Sequence, residues 1–226
     1  MSKRLPGQLT SWLLCLVIIV SFGLSAPAQK DATITFTFDF PGSVPDHYSI
    51  TVNLSGRASY ISGGKKGADS DSDEPFHYDF TISDSNRARI FDLAARARYF
   101  AGDVNYAKHA VASTGTKTIS YQDAQRNTQA TYNYTTNQAV QQLTTIFQNI
   151  SATLEFGQRL QFEHKYQKLA LDEELKRMEE AAKQNGLEEV QAVAPILKQI
   201  LADSSVINVT RARAQRLLAK AGTRSP

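Results

Sequence analysis

From Thr33 to Ile82 apolar and polar side chains alternate. In ATITFTFDF the residues Ile34, Phe36, Phe38 and Phe40 share one parity while Thr33, Thr35, Thr37 and Asp39 hold the other, which is the period of a half-buried strand. PGSVPDH interrupts the pattern, and YSITVNL restores it with Tyr48, Ile50, Val52 and Leu54. Ser55-Gly56 then reads as a tight turn into RASYIS, so the two segments form a hairpin. FHYDFTI sets Phe76, Tyr78, Phe80 and Ile82 on one side and His77, Asp79 and Thr81 on the other. Four strands joined by local connections predict an antiparallel meander with one wet face.

The period then lengthens. Ser83 and Asp84 are helix-capping residues, and NRARIFDLAARARYF carries Ile90, Leu93, Ala94 and Ala97 at helical spacing. Arg87 and Arg98 flank one edge of that stripe and Arg89 and Arg96 the other, as arginine stems do when they cover the sides of a packed helix. TKTISYQ and ATYNYTT read as two further strands around the turn-like DAQRN. From Asn137 onward the pattern is helical. Val140, Leu143, Ile146, Phe147, Ile150 and Leu154 form one stripe, and a charged helix with Leu169, Leu171, Leu175 and Met178 follows over about 158–185. A third helix runs over about 187–202, with Pro195 either as a kink or in the first turn of a restarted helix, and a last one over about 208–221. The expected fold class is α+β: an antiparallel sheet of five to six strands with a packed helix, spanning residues 29–157, followed by a helical arm over 158–226.

The amino terminus changes the picture. Lys3 and Arg4 precede the apolar run WLLCLVIIVSFGL, and Ala26 and Ala28 occupy the small-residue positions of a cleavage site, so residues 1–28 read as a secretory signal cut after Ala28. The run is shorter than the ~20 residues a membrane span needs, and no transmembrane span is expected in the mature chain. Cleavage removes the single cysteine, Cys15, and with it any disulfide, thiolate metal site or cysteine nucleophile. It leaves 23 basic against 22 acidic residues, a net charge of +1 that offers no general attraction to nucleic acid. The expected location is periplasmic or secreted.

HYSITVNLSGRASYIS, the strand-to-helix segment FTISDSNRARIFDLAARARYF, TGTKTISY and the helix NQAVQQLTTIFQNI together resemble a class of uncharacterised exported bacterial proteins. In that class a strand pair of the form P-x-Y-x-[IV]-x-[IV]-x-x-x-G-x-x-x-Y precedes a helix ending in Phe. Tyr48, Ile50, Val52, Gly56 and Tyr60 carry the pattern from its tyrosine onward, and the similarity covers about residues 40–160. Some members bear a cysteine pair ahead of the tyrosine, where this chain has PGSVPDHY. The resemblance implies a fold type and lends no catalytic residue.

Searches for chemistry return little. The acidic stretch KKGADSDSDE supplies Asp69, Asp71 and Asp73 at the first three alternating positions of a calcium loop, but Glu74, Pro75 and Phe80 stand where glycine, a carbonyl ligand and the bidentate glutamate belong. Those three aspartates are the weak metal candidates, in what otherwise reads as a solvated loop between strands. There is no G-x-S-x-G or H-E-x-x-H motif, and ASTGTKT lacks the glycine spacing of a phosphate loop. His47, His77, His109 and His164 are scattered, although His77 and Asp79 share a strand face. The Asn-x-Ser/Thr triplets at Asn53, Asn133, Asn149 and Asn208 are a product of composition outside a eukaryotic secretory pathway.

Arg213, Arg216 and Lys220 share one face of the last helix, a candidate contact with an anionic surface such as lipid headgroups or an acidic wall polymer. The same three cations also suit the carboxyl-terminal end of a helix dipole. The expected function is that of an exported non-catalytic binding module of the envelope or secreted space, with no catalytic residues and no cofactor. The alternative is a small secreted hydrolase using carboxylates drawn from Asp39, Asp46 and Asp79.

Overall fold

The computed structural model describes residues 31–63, 75–106 and 111–223. The expected signal segment, the calcium candidates Asp69, Asp71 and Asp73, and His109 lie outside the described residues.

Six strands form one antiparallel sheet: β1 (Thr33–Asp39), β2 (His47–Asn53), β3 (Arg57–Gly63), β4 (Phe76–Thr81), β5 (Thr116–Gln122) and β6 (Asn127–Tyr132). Their order is β4-β3-β2-β1-β5-β6. The first strand is therefore central, flanked by β2 with Phe36 opposite Ile50 and by β5 with Phe36 opposite Ile119. The parity read from the sequence is the parity of burial, since Ile34, Phe36, Tyr48, Ile50, Val52 and Tyr60 all point into the core. An aromatic ladder crosses that face from Phe38 through Tyr48, Tyr60 and Phe76 to Tyr78 and Phe80.

Two helices cover the apolar face. Helix α1 (Asp84–Arg96) starts at Ser83, whose hydroxyl accepts the Asn86 N–H, and buries Ile90, Leu93 and Ala94. After it, Arg98, Tyr99 and Phe100 all adopt left-handed backbone angles, which swings the Phe100 ring into the core. Helix α2 (Gln138–Tyr166) is capped by the Asn137 side chain, and its Phe147 ring stacks on Phe36 at 5.1 Å. The boundary expected between residues 157 and 158 falls inside this helix. The amino-terminal half of α2 lies on the sheet. Its remainder packs against α3 (Leu171–Lys183) and α4 (Ala194–Ala202), and α5 (Asn208–Thr223) packs on α3 and α4.

Pro195 sits in the first turn of α4, where its missing N–H costs nothing, following a 3₁₀ turn at Val190–Val193. Leu171, Leu175, Met178, Leu187, Ile196, Leu197, Ile200 and Leu217 are buried and continuous with the core under the sheet. The apolar stripes of the carboxyl-terminal helices thus face one another and α2.

The α2 contact with the 3₁₀ turn depends on Gly157. A methyl group there would stand 2.5 Å from Val193 Cγ1 and 3.2 Å from its Cβ. Gly157→Ala would stabilise an unencumbered helix by roughly 1 kcal/mol, yet here overpacking of about 1–3 kcal/mol is expected to win. A lowered urea midpoint checks this, and a raised one would show that the turn yields.

Candidate functional site

No described element covers the second face of the sheet. Its side chains fall in rows set by the strand register. One row is His77, Ile61, Ser49, Thr37, Thr118 and Thr131, and the next is Asp79, Ser59, Thr51, Thr35, Ser120 and Gln129. A third runs from Thr81 and Arg57 past the β2–β3 turn to Asn53, Thr33, Gln122 and Asn127. These side chains are half-buried or exposed. Hydroxyls pair across strands, Thr35 with Thr51 at 3.2 Å and Thr118 with Thr131 at 3.1 Å. At the β2–β4 end a groove of about 460 Å³ is lined by Thr51, Asn53, Arg57, Ala58, Ser59, Asp79, Phe80 and Thr81.

His77 Nε2 lies 3.1 Å from Asp79 Oδ1, so the two do meet, both exposed. His47 Nδ1 pairs with Asp39 across β1 and β2. The carboxylates Asp39 and Asp79 do not converge. They are three strands apart laterally and, through Thr35, four residues apart along β1. At roughly 4.8 Å per strand and 3.3 Å per residue the separation is about 19 Å, against the roughly 5–10 Å of a glycosidase carboxylate pair. Asp46 takes part in closing the β1–β2 turn, its carbonyl accepting the Phe40 N–H at 2.8 Å.

The reverse of the sheet holds a polar cluster that sequence reasoning missed. Tyr60 donates its hydroxyl proton to Glu155 Oε1 at 2.7 Å, Ser62 donates to the same oxygen at 2.9 Å, and Ser151 lies 3.0 Å from the Tyr60 oxygen. All four residues are buried. Burial, then the Glu155 charge, pushes the Tyr60 hydroxyl pKa far above its ordinary value, and burial does the same to Tyr48. The available signal was Ser151 and Glu155 standing at i and i+4 beside the apolar stripe of α2. The cluster is satisfied internally and ties β3 to α2.

A second missed carboxylate is Glu189, left-handed in backbone and almost fully buried. It accepts from the Ser83 N–H at 2.9 Å, the Ser83 hydroxyl at 2.7 Å and Asn86 Nδ2 at 2.6 Å, and it also pairs with Gln191. It caps α1 from the carboxyl-terminal region. Lys117, from the segment that failed as a phosphate loop, turns inward. Its ammonium donates to the carbonyls of Thr114, Gly115 and Asn133 at 2.8–3.0 Å and to the Thr114 hydroxyl at 3.0 Å. Between α2 and α3, burial and the neighbouring Glu174 raise the Glu163 pKa, while Arg159 and Arg177 pair with Glu174.

Arg213, Arg216 and Lys220 do line one depression of about 320 Å³, together with Glu179, Lys183 and Leu217. The depression carries its own counter-charge. Arg213 bonds Asp172 at 2.9 Å and Glu179 at 2.6 Å, and Arg216 bonds Glu179 at 2.7 Å. Burial opposes the Glu179 charge, but the bonds from Arg216 and Arg213 outweigh it and hold its pKa below the ordinary range. The basic side of α5 is thus largely engaged with α3.

Among the described residues no group of three or more His, Cys, Asp or Glu side chains is placed to hold a metal ion. None of the described helices is long and apolar enough to cross a membrane. No family model matches the chain, and a search of curated proteins finds no relative. Within the strand-pair pattern Pro45 stands three residues before Tyr48, where the pattern has two.

Proposed function

We propose that this chain is an exported, non-catalytic binding module of the cell envelope that meets its partner through the open face of the sheet. One observation carries the reading: the three rows across that face hold eighteen side chains, and none is lysine or glutamate. A surface kept only for solubility carries such residues, whereas contact surfaces are depleted of them because their charge and flexibility are costly to bury. Threonine suits strands on propensity alone, which accounts for its presence but not for the absence of long charged side chains. The basic start, the apolar run and Ala26 and Ala28 support export.

Cell fractionation tests both parts. The protein outside the cytoplasm is expected to begin at Gln29 and to sediment with envelope material. A Thr35→Lys, Ser120→Lys double variant with an unchanged thermal midpoint is expected to stay in the supernatant. Recovery of the intact Met1 end from membranes would overturn export. Equal sedimentation by the double variant, with loss in an Arg213→Ala, Arg216→Ala, Lys220→Ala variant, would move the contact to the helical region.

A further inference from the structure

We propose, building on that reading, that the groove over β2, β3 and β4 is a binding site for a saccharide bearing a carboxylate. Arg57 is the anchor. It is exposed, and its guanidinium has no ion-pair or hydrogen-bond partner among the described residues, in contrast to Arg87, Arg96, Arg126, Arg159, Arg213 and Arg216. A planar fork of N–H donors with nothing to bind matches a carboxylate in geometry as well as charge.

Around Arg57 the groove offers hydroxyl, amide and carboxylate groups for hydrogen bonding. The hydroxyls of Ser59 and Thr81 have no partner among the described residues, and the Asn53 side-chain oxygen is taken by Ser55 and the Arg57 N–H, which leaves its amide protons to donate. Asp79, bonded only to exposed His77, can accept from ligand hydroxyls. A protein partner would be expected to find several aromatic or aliphatic anchors, and these rows offer Ile61 alone, with Phe80 and Ala58 at the groove itself. A polyanion would meet Asp39 and Asp79 on the same face. A sugar carrying a single acid group meets neither objection. The groove volume falls within the ~300–1,000 Å³ of small-ligand sites, and its polar groups recur at the strand spacing of roughly 4.8 Å, the scale of one sugar ring.

Calorimetric titration of the mature protein with galacturonate and with its neutral counterpart galactose tests this. The acid is expected to bind at least about tenfold more tightly than the neutral sugar, the weight of one charge-assisted pair, and the advantage is expected to shrink with added salt. Arg57→Gln, with its thermal midpoint unchanged, is expected to bind the two sugars alike. Equal affinity of the unaltered protein for both sugars, or an Arg57→Gln variant that keeps the preference for the acid, would overturn the assignment. If neither sugar binds while Thr35→Lys, Ser120→Lys still abolishes envelope sedimentation, the saccharide is wrong and the sheet face remains the contact surface. If neither sugar binds and the double variant sediments normally, both proposals fall.

Discussion

Glu189→Ala is expected to lower the thermal midpoint by roughly 6–12 °C. The carboxylate is buried and accepts from the Ser83 N–H and hydroxyl and from Asn86 Nδ2. Truncation strands those donors between α1 and the Val190–Val193 turn, where water does not readily replace the lost acceptor. Each donor left without its acceptor costs about 1–3 kcal/mol, and a net loss of about 3 kcal/mol over the three is about 6–12 °C for a chain of this size. The backbone supplies a control. Glu189 has φ 57°, a conformation glycine adopts without its steric cost. Glu189→Gly should therefore lose about 1 kcal/mol less than Glu189→Ala, which differential scanning calorimetry resolves. An alanine variant melting within two or so degrees of the parent would mean that the helical region is held to the sheet by apolar packing alone.

Strands β1, β2 and β4 were readable because each keeps strict parity, and the Ser83 and Asn137 caps marked both helices on the sheet. What local pattern could not show was order. Pairing of β1 with β5 joins segments some eighty residues apart, and no residue in either announces the other. The wet face of the β1 to β4 meander, which carries Arg57 and Asp79, was visible in the sequence, but its continuation over β5 and β6 follows only from that order. Strand β6 begins at Asn127, three residues before the alternation in ATYNYTT, because Asp123 Oδ1 accepts the N–H groups of Gln125 and Arg126 and tightens the turn.

The boundary expected after residue 157 falls in an unbroken helix, where Gly157 is the point of close approach to Val193. The charge-rich carboxyl-terminal region reads in the sequence as a helical arm with a basic face. Glu174 and Glu189 are in fact buried and paired, and Arg213 is held by Asp172 and Glu179, so part of that charge lies in the packing.

Stability is expected to fall steeply above pH 10, by about 4 kcal/mol on reaching pH 11. Three tyrosines produce the effect. Burial pushes the hydroxyls of Tyr48 and Tyr60 far above their ordinary value and that of Tyr132 up to about 12. In the unfolded chain the same groups ionise near pH 10. The folded state then holds more protons than the unfolded one, so the slope of stability with pH is negative. Below pH 10 all three are protonated in both states and contribute no slope. Above it each subtracts about 1.4 kcal/mol per pH unit until its folded pKa is reached. Burial lowers the Lys117 pKa and so acts in the opposite sense, but it is one group against three. Denaturation at a series of alkaline pH values, followed by phenolate absorbance, should show the three buried hydroxyls ionising together with unfolding. Tyr132→Phe, which leaves Thr144 with its bond to the Val140 carbonyl, should remove about a third of the slope. Ionisation of these tyrosines near pH 10 in the folded protein would mean that solvent reaches the face between the sheet and α2, and the slope would vanish with it.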